Sequence, residues 1–243
     1  MLTATRYIGC MENGLTRPQA FECDDGNEYV IKYKENPVGI KVLVNELIGN
    51  RIANLLGLPV PMGTLIYTPA QVITDSSIKE GIHFGTLLIP YTFRNPPLNI
   101  IESAYNVNCI TGMYVFDNYL ANHDRHEGNI VLGIRYHGNQ IIMIDHSHCF
   151  GKPQWTDAEL LELTDEGKII TRGIYKKIAH IITGQNSLDK WLDRLESIKE
   201  EQLISIINEI PIEWNIAPQD RGALLFYLKN RKWRVRPLLT SAL

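Results

Sequence analysis

Several features are absent from this sequence, and each absence excludes a class of protein. No apolar run approaches the ~20 residues that a membrane-spanning helix requires, and residues 1–6 lack the apolar core of a signal peptide. We therefore expect a cytoplasmic protein without a membrane partner. The formal net charge is only −3 over 243 residues, so the chain as a whole is not adapted to polyanions.

Cysteine is also scarce, and the four thiols are scattered: Cys10, Cys23, Cys109 and Cys149. The absence of paired spacing favours reduced thiols over a disulfide framework. His146 and His148 stand beside Cys149, so a zinc site has to be considered, but ligand pairs at the usual separations are missing. Repeats are absent too, and 44% hydrophobic residues is ordinary for a globular chain with one or two cores.

The most informative segment is the polar run from Asn122 to Asn129, which precedes an apolar strand that ends at Asp145. Asp124 and Asn129 are five residues apart, and Asp145 follows sixteen residues later. Phosphotransferases use this layout: one carboxylate orients the acceptor hydroxyl, and hard oxygen ligands hold Mg²⁺ against the nucleotide phosphates. Asp124 suits the first task, and Asn129 and Asp145 suit the second.

The elements predicted around this segment follow the order of a kinase catalytic region. Hydrophobic periodicity predicts a helix over 101–121 and two strands over 130–134 and 140–144, joined by a tight turn. A helix, a loop, a hairpin and a terminal acidic residue follow one another in the C-terminal lobe of protein-kinase-like folds. The plainer alternative is a polar loop that caps a helix, with Asp124 and Asn129 in turn hydrogen bonds.

With these motifs the chain resembles the HipA-type kinases, specifically the short HipA-like domain proteins of bacteria. The resemblance rests on matching segments along most of the chain: Tyr29-Val30-Ile31-Lys32, Asn45-Glu46-Leu47, Leu56-Gly57-Leu58-Pro59-Val60-Pro61, Asp124-Arg125-His126 with Asn129, Ile144-Asp145-His146 ahead of Phe150-Gly151, and Pro211-Ile212-Glu213-Trp214. Phosphoinositide lipid kinases share the catalytic loop, but the small size and the flanking matches favour the HipA-like group. The chain is too short for the extra N-terminal subdomain of the larger HipA toxins, so their protein substrates are not carried over.

Motifs and resemblance together imply a bilobal, protein-kinase-like α+β fold. Residues 1–90 would form an N-lobe with a small antiparallel sheet and one helix, and residues 91–243 a mostly helical C-lobe. The implied activity is phosphorylation of a protein Ser or Thr with ATP and Mg²⁺. The catalytic residues would be Asp124, Arg125 and His126, where Arg125 braces the loop through charge-assisted hydrogen bonds. His126 either supports Asp124 or approaches the γ-phosphate.

Candidate nucleotide-binding residues precede the catalytic loop. Loop 11–18 lies between predicted strands 6–10 and 19–24, and Gly14, Thr16 and Arg17 could contact phosphates there. Because the loop has a single glycine, a plain hairpin turn remains open. The next strand, predicted over 28–33, carries Lys32, whose compact charge suits the α- and β-phosphates. Periodicity alone leaves open whether Lys32 faces a cleft or solvent.

A helix predicted over 41–56 carries Glu46 roughly opposite its apolar stripe. Glu46 is either an ion-pair partner for Lys32 or an ordinary solvated glutamate. A strand over 62–67 follows, and the apolar segment 86–91 is predicted as the strand that leads to the second lobe. Ile89 and Tyr91 mark the backbone groups that could bind the edge of an adenine ring.

Three alternatives remain open beside the protein kinase. They are a kinase for a small molecule or lipid, a nucleotide-binding interaction module with little turnover, and a nucleic-acid binder. The last rests on a basic run near the C-terminus: Lys229, Arg231, Lys232, Arg234 and Arg236. The overall negative charge makes nucleic acid an unlikely partner. The same region predicts helices over 157–163, 173–183, 187–196, 199–209 and 219–231, and nothing in it indicates an oligomeric state.

Overall fold

A computed structural model describes residues 1–11, 16–75, 77–90, 92–182 and 185–241, with the side chains of residues 185 and 186 left out. Within these ranges the first five strands form a closed barrel in the order β1-β2-β3-β5-β4. Their bounds are β1 Leu2–Cys10, β2 Gln19–Cys23, β3 Glu28–Lys32, β4 Gly63–Thr68 and β5 Gly81–Leu87. Four of the five pairings are antiparallel, as expected.

The fifth pairing corrects the prediction of a purely antiparallel sheet. β1 and β4 run parallel, with Leu2 opposite Ile66 and Thr3 opposite Tyr67. Parallel strands need a long crossover, and here the intervening strands and a helix supply it. The pairing removes an exposed sheet edge, and local sequence patterns carry no signal for it.

The inside of the barrel decides which way Lys32 faces. Tyr29 and Ile31 point into a small apolar core, and side chains alternate between the two faces of a strand. Val30 and Lys32 therefore lie on the opposite face of β3. That face borders a cleft, so the question that periodicity left open is decided by tertiary structure.

Helix α1, Lys41–Leu56, has the predicted bounds. Gly57 ends it with φ of +72°, a conformation that glycine adopts without steric cost. The helix is buried on nearly all sides. The amide of Asn45 joins it to the segment after Asp145: Nδ2 donates to Ser147 O at 2.7 Å and to Cys149 O at 3.1 Å.

A second sheet has the order β6-β7-β8, with bounds Thr92–Arg94, Ile130–Arg135 and Gly138–Met143. The β7–β8 hairpin agrees with the predicted strands, whereas β6 was not predicted. Strand β5 begins at Gly81 and ends at Leu87, so it starts and ends earlier than the predicted strand over 86–91. Ile89 consequently follows the strand.

The single helix predicted over 101–121 is two helices, α2 Leu98–Glu102 and α3 Cys109–Tyr119. The side chain of Asn106 explains the break, because it pairs with the backbone of β8. Asn106 Nδ2 donates to Ile141 O at 2.9 Å, and Ile141 N donates to Asn106 Oδ1 at 2.8 Å. This bridge anchors the linking segment to the sheet and is incompatible with a continuous helix.

Five further helices complete the described chain: α4 Asp157–Thr164, α5 Tyr175–Ile182, α6 Gln185–Glu196, α7 Glu200–Asn208 and α8 Pro218–Thr240. Each lies close to a predicted helix, but α8 continues nine residues past the predicted end. Tyr227 of α8 donates to Tyr119 O at 2.7 Å, and Tyr119 donates to Leu228 O at 2.8 Å. Across the described residues no helix combines the length and apolar character needed to span a membrane.

The basic side chains of α8 bind carboxylates and main-chain carbonyls of the same chain. Arg236 contacts Asp189 at 2.9 Å and Glu196 at 2.8 Å, and Arg234 contacts Asp165 at 3.0 Å. Lys229 binds the carboxylate of Glu200. Arg231 and Lys232 donate to main-chain carbonyls. The charge that suggested nucleic-acid binding is thus largely used in packing α8.

Candidate active site

A cleft of about 490 Å³ lies beside the outer face of β3 and collects most of the predicted site residues. Eight of them line it: Thr16, Lys32, Glu46, Ile89, Asp124, His126, Asn129 and Asp145. Arg17, which is exposed, and Arg125, which is buried, do not. Gly14 and Tyr91 fall outside the described residues.

Three charged side chains meet at the inner end of the cleft. Lys32 Nζ contacts Glu46 Oε1 and lies 3.0 Å from Asp145 Oδ1. Glu46 also accepts a hydrogen bond from His146 N at 3.1 Å. Its side chain is only 5% exposed, because α1 is packed on both sides. The solvated alternative for Glu46 is therefore wrong.

The ionisation of this cluster follows from burial and mutual charge. Burial disfavours the charged form of Lys32, but Asp145 and Glu46 outweigh it and raise the lysine pKa. Burial raises the pKa of Glu46 to about 7, with Lys32 acting in the opposite direction. Burial also opposes ionisation of Asp145, yet Lys32 and hydrogen bonds from Ser147 hold its pKa far below the usual range. Asp145 is consequently an anion throughout the physiological range.

Asp145 lies two residues after the end of β8 and has φ of +60°, in the left-handed region. Its neighbour Ile144 is held on both sides, since Ile144 N donates to Asn129 O at 3.1 Å and Arg125 Nη1 donates to Ile144 O at 2.6 Å. The donors Lys32 and Ser147 all reach Oδ1 of Asp145. Among the described residues no donor reaches Oδ2, so this atom is the candidate metal ligand.

Asn129 presents a second oxygen. Its Nδ2 donates to Asp124 O at 2.8 Å, which leaves Oδ1 for another partner. A carboxylate and an amide oxygen are hard ligands of the kind that Mg²⁺ accepts. The zinc site considered from the sequence is not formed: no cluster of three or more His, Cys, Asp or Glu that could hold a metal occurs among the described residues.

Arg125 lies behind the catalytic loop, with a side chain that is completely buried. Its Nε donates to Asp117 Oδ2 at 3.0 Å, and Nη1 donates to the carbonyls of Ile144 at 2.6 Å and Asn129 at 3.2 Å. The guanidinium thus ties the loop to the residue before Asp145. This position fits the expectation that Arg125 braces the loop, and its side chain does not line the cleft.

Asp124 stands at the open side of the cleft, with a side chain that is 43% exposed. Its Oδ2 lies 3.9 Å from His126 Nε2 and 3.3 Å from His148 Nδ1. His126 Nδ1 accepts a hydrogen bond from Gly128 N at 3.0 Å. The closer histidine, His148, was considered from the sequence only as a zinc ligand. In the sequence, only its position three residues after Asp145 indicates that His148 could lie in the cleft.

Known proteins resemble this chain both in sequence family and in fold. The model of the family described as HipA-like kinase matches residues 5–231. A search of curated proteins finds no match. The crystal structure of the Helicobacter pylori proinflammatory kinase CtkA is similar over 97% of this chain and 93% of that chain, with 18% identity and a TM-score of 0.67.

The Golgi casein kinase, solved with Mn/ADP bound, is similar over 99% of this chain and 74% of that chain. The sequence identity is 11% and the TM-score is 0.53. At these identities the two structures bear on the fold alone. Both indicate a mixed α+β fold of the kinase type.

Proposed function

The chain belongs to the HipA-like kinase family, and from this premise we propose that it transfers the γ-phosphoryl group of ATP to a Ser or Thr hydroxyl on a protein, with Mg²⁺. One observation carries the proposal. The cleft brings Lys32 within 3.0 Å of Asp145, and Asn129 donates to the backbone of Asp124 at 2.8 Å in the same cavity. The side chains proposed as phosphate-binding cation, metal ligands and acceptor-side carboxylate therefore line one cavity.

The nucleotide would occupy the deeper part of this cleft. Its walls include the apolar side chains of Val30, Phe84, Val131 and Ile144, which suit an adenine ring. Ile89, just past β5, would offer backbone groups to the edge of the base. We keep the division into an N-lobe of residues 1–90 and a C-lobe of residues 91–243 as part of the proposal. The similar Golgi casein kinase structure has Mn/ADP bound, which supports a nucleotide and a divalent metal as ligands.

Asn129 and Asp145 would hold the divalent ion through Asn129 Oδ1 and Asp145 Oδ2. Both atoms remain after the internal hydrogen bonds of the site are made. Two protein oxygens are typical of Mg²⁺ sites, in which phosphate oxygens and water complete the shell. When bound, the ion would neutralise charge on the nucleotide phosphates.

Asp124 would act on the acceptor. The hydroxyl oxygen of the substrate forms a bond to the γ-phosphorus, the bond from that phosphorus to the bridging oxygen breaks and ADP leaves, and the hydroxyl proton passes to Asp124. Lys32 holds the α- and β-phosphates in line. Glu46 keeps Lys32 in place, and Arg125 braces the loop without touching substrate.

The proposal is tested by incubating the protein with labelled ATP and Mg²⁺, either alone or with cell extract, lipid vesicles or small hydroxyl compounds. The transfer of label to each acceptor is then measured. Wild type should label protein Ser or Thr, and Asp145→Ala should not. Asp157→Ala, which removes an exposed carboxylate on α4, is the matched control and should retain activity. Label on lipid or on a small molecule would favour the corresponding kinase. ATP binding without any transfer would establish an interaction module.

A further inference from the structure

A line of three side-chain contacts connects the two carboxylates of the site. His148 Nδ1 lies 3.3 Å from Asp124 Oδ2 and 3.2 Å from Ser147 Oγ. Ser147 Oγ in turn lies 2.6 Å from Asp145 Oδ1. Ser147 and His148 both line the cleft, and the mechanism described above uses neither of them.

The chemistry of the groups determines the direction of these hydrogen bonds. Asp145 Oδ1 already accepts from Lys32 Nζ and Ser147 N, and the Ser147 hydroxyl donates to the same oxygen. Ser147 Oγ is then available to His148 only as an acceptor, and His148 must therefore carry a proton on Nδ1. The same nitrogen lies at nearly equal distances from Ser147 Oγ and Asp124 Oδ2.

A proton on Nδ1 excludes one role for His148 and supports another. The ring cannot take a proton from Asp124 at Nδ1, because that nitrogen already holds one. It can orient the carboxylate of Asp124 by donating to Oδ2. This leaves Oδ1 for the acceptor hydroxyl, and among the described residues no donor occupies Oδ1.

His126 is the competing candidate for this task, and its geometry is weaker. Its Nε2 is 3.9 Å from Asp124 Oδ2, beyond hydrogen-bond distance. Its Nδ1 is already committed to Gly128 N at 3.0 Å. A Cβ at residue 128 would lie 2.7 Å from Cε1 of this ring, so His126 is packed closely against its own loop.

We propose that His148 is a positioning residue that orients Asp124, and that Ser147 links this orientation to Asp145 on the metal side of the cleft. The inference rests on the proposed phosphotransfer. Loss of His148 should reduce the rate of transfer but not the binding of the nucleotide, because His148 contacts the acceptor-side carboxylate. Loss of Ser147 should affect both, since Ser147 contacts Asp145.

The first test measures kcat and the KM for ATP in His148→Ala and His148→Asn. The alanine variant should lower kcat on the order of 10–100-fold, as for outer-shell partners in metal sites, with the KM for ATP changed less than about threefold. In His148→Asn the Nδ2 atom replaces the Nδ1–H donor, so a large part of kcat should return. His137→Asn, in the β7–β8 turn, removes a histidine far from the cleft and should behave as wild type.

The second test is a double-mutant cycle with Asp124→Asn. If His148 acts through the charge of Asp124, adding His148→Ala to Asp124→Asn should cause almost no further loss of kcat. Full additivity of the two losses would overturn the inference, as would an unchanged kcat in His148→Ala. A fall in the thermal midpoint of His148→Ala without a change in kcat would mean that the residue is only structural.

The same preparations separate the two proposals. If wild type transfers phosphate and Asp145→Ala does not, but His148→Ala is normal, only the role of His148 is wrong. If wild type transfers no phosphate to any acceptor, the proposed function and the inference both fail. Nitrogen chemical shifts of the His148 ring provide a check that does not depend on turnover, and protonated Nε2 with bare Nδ1 would contradict the assignment.

Discussion

Lys32 Nζ lies 3.0 Å from Asp145 Oδ1, although 113 residues separate them in the chain. Lys32 ends the barrel strand β3, and Asp145 lies two residues after the end of β8. Glu46 on α1 contacts the same lysine. Three elements thus meet at the Lys32 ammonium. Removing this ammonium leaves the carboxylates of Glu46 and Asp145 close together in a mostly buried environment.

Lys32→Met should therefore destabilise the protein even without nucleotide. Breaking a buried ion pair by removing one partner typically costs about 3–5 kcal/mol. The free energy of unfolding, measured by urea denaturation, should fall by roughly 3 kcal/mol at pH 8. Lys34→Met is the matched control, since the Lys34 ammonium lies 3.6 Å from Glu213, whose side chain is 37% exposed, and the substitution should change stability by less than about 1 kcal/mol.

The destabilisation in Lys32→Met should also depend on pH. Glu46 has a folded-state pKa raised by burial to about 7 with the lysine present, and loss of the lysine raises it further. A carboxyl whose folded pKa exceeds its unfolded value is most favourable when protonated, below about pH 4.5, and its contribution is lost as pH rises through the folded pKa. The penalty should be smaller at pH 5 than at pH 8. An equal penalty at both values would contradict the coupling.

Asp124→Asn should separate chemistry from binding. The substitution keeps the size of the side chain but removes the charge that accepts the hydroxyl proton. We expect kcat to fall by ~10²–10⁴-fold, while the affinity for ATP with Mg²⁺, measured by isothermal titration, stays within a few-fold. Asp165→Asn, an exposed carboxylate on the outer surface, should keep the wild-type rate. Much weaker ATP binding in Asp124→Asn would show that Asp124 is not on the acceptor side.

Arg125→Lys should unfold more easily although it preserves the charge. Arg125 and Asp117 are both fully buried in their side chains, and Tyr175 also donates to Asp117. Lysine cannot reproduce the fork that reaches Asp117 and two carbonyls at once. The free energy of unfolding should drop by roughly 3 kcal/mol, against less than about 0.5 kcal/mol for Arg135→Lys on the exposed end of β7. A stable Arg125→Lys with normal transfer would remove the bracing role.

His83 should make stability depend on pH between about 6.5 and 4. Its Nδ1 accepts from Lys34 N at 3.2 Å and its Nε2 contacts Lys79 O at 3.0 Å, which fits the neutral ring. Burial lowers its pKa to about 4. Because the unfolded chain binds the proton more readily, the contribution of the neutral ring is complete above about pH 6.5 and is lost as pH falls toward 4.

The loss attributable to His83 should be roughly 3 kcal/mol between pH 7 and pH 4. His123 and His146 have pKa values lowered by burial and act in the same direction. The quantity to measure is therefore the difference in pH dependence between wild type and His83→Asn by urea denaturation. His137→Asn provides the matched control. An identical pH dependence in wild type and His83→Asn would show that His83 titrates normally.

Several elements of the fold could be predicted because their signals are local. The 3.6-residue periodicity of α1 and the stop at Gly57 gave its correct bounds. The alternation and turn signals of β7 and β8 predicted the hairpin before Asp145, although β7 ends one residue later and β8 begins two residues earlier than predicted. The candidate site residues could be selected for a related reason: metal ligands and acid–base groups have few chemical substitutes. Their catalytic roles stay predictions.

Other features depended on contacts between distant parts of the chain. The parallel β1–β4 pairing, the face of Lys32, the burial of Glu46 and the position of Arg125 behind the loop have no local signature. The break before α3 depends on a bridge from Asn106 to β8. His148 lies 24 residues from Asp124, and only folding brings its ring to the carboxylate. The sequence by itself determined which chemical groups are present and most helices and strands, because backbone propensity acts over a few residues. Tertiary packing decided which groups meet and which are withdrawn from water, because contact and burial depend on the whole chain.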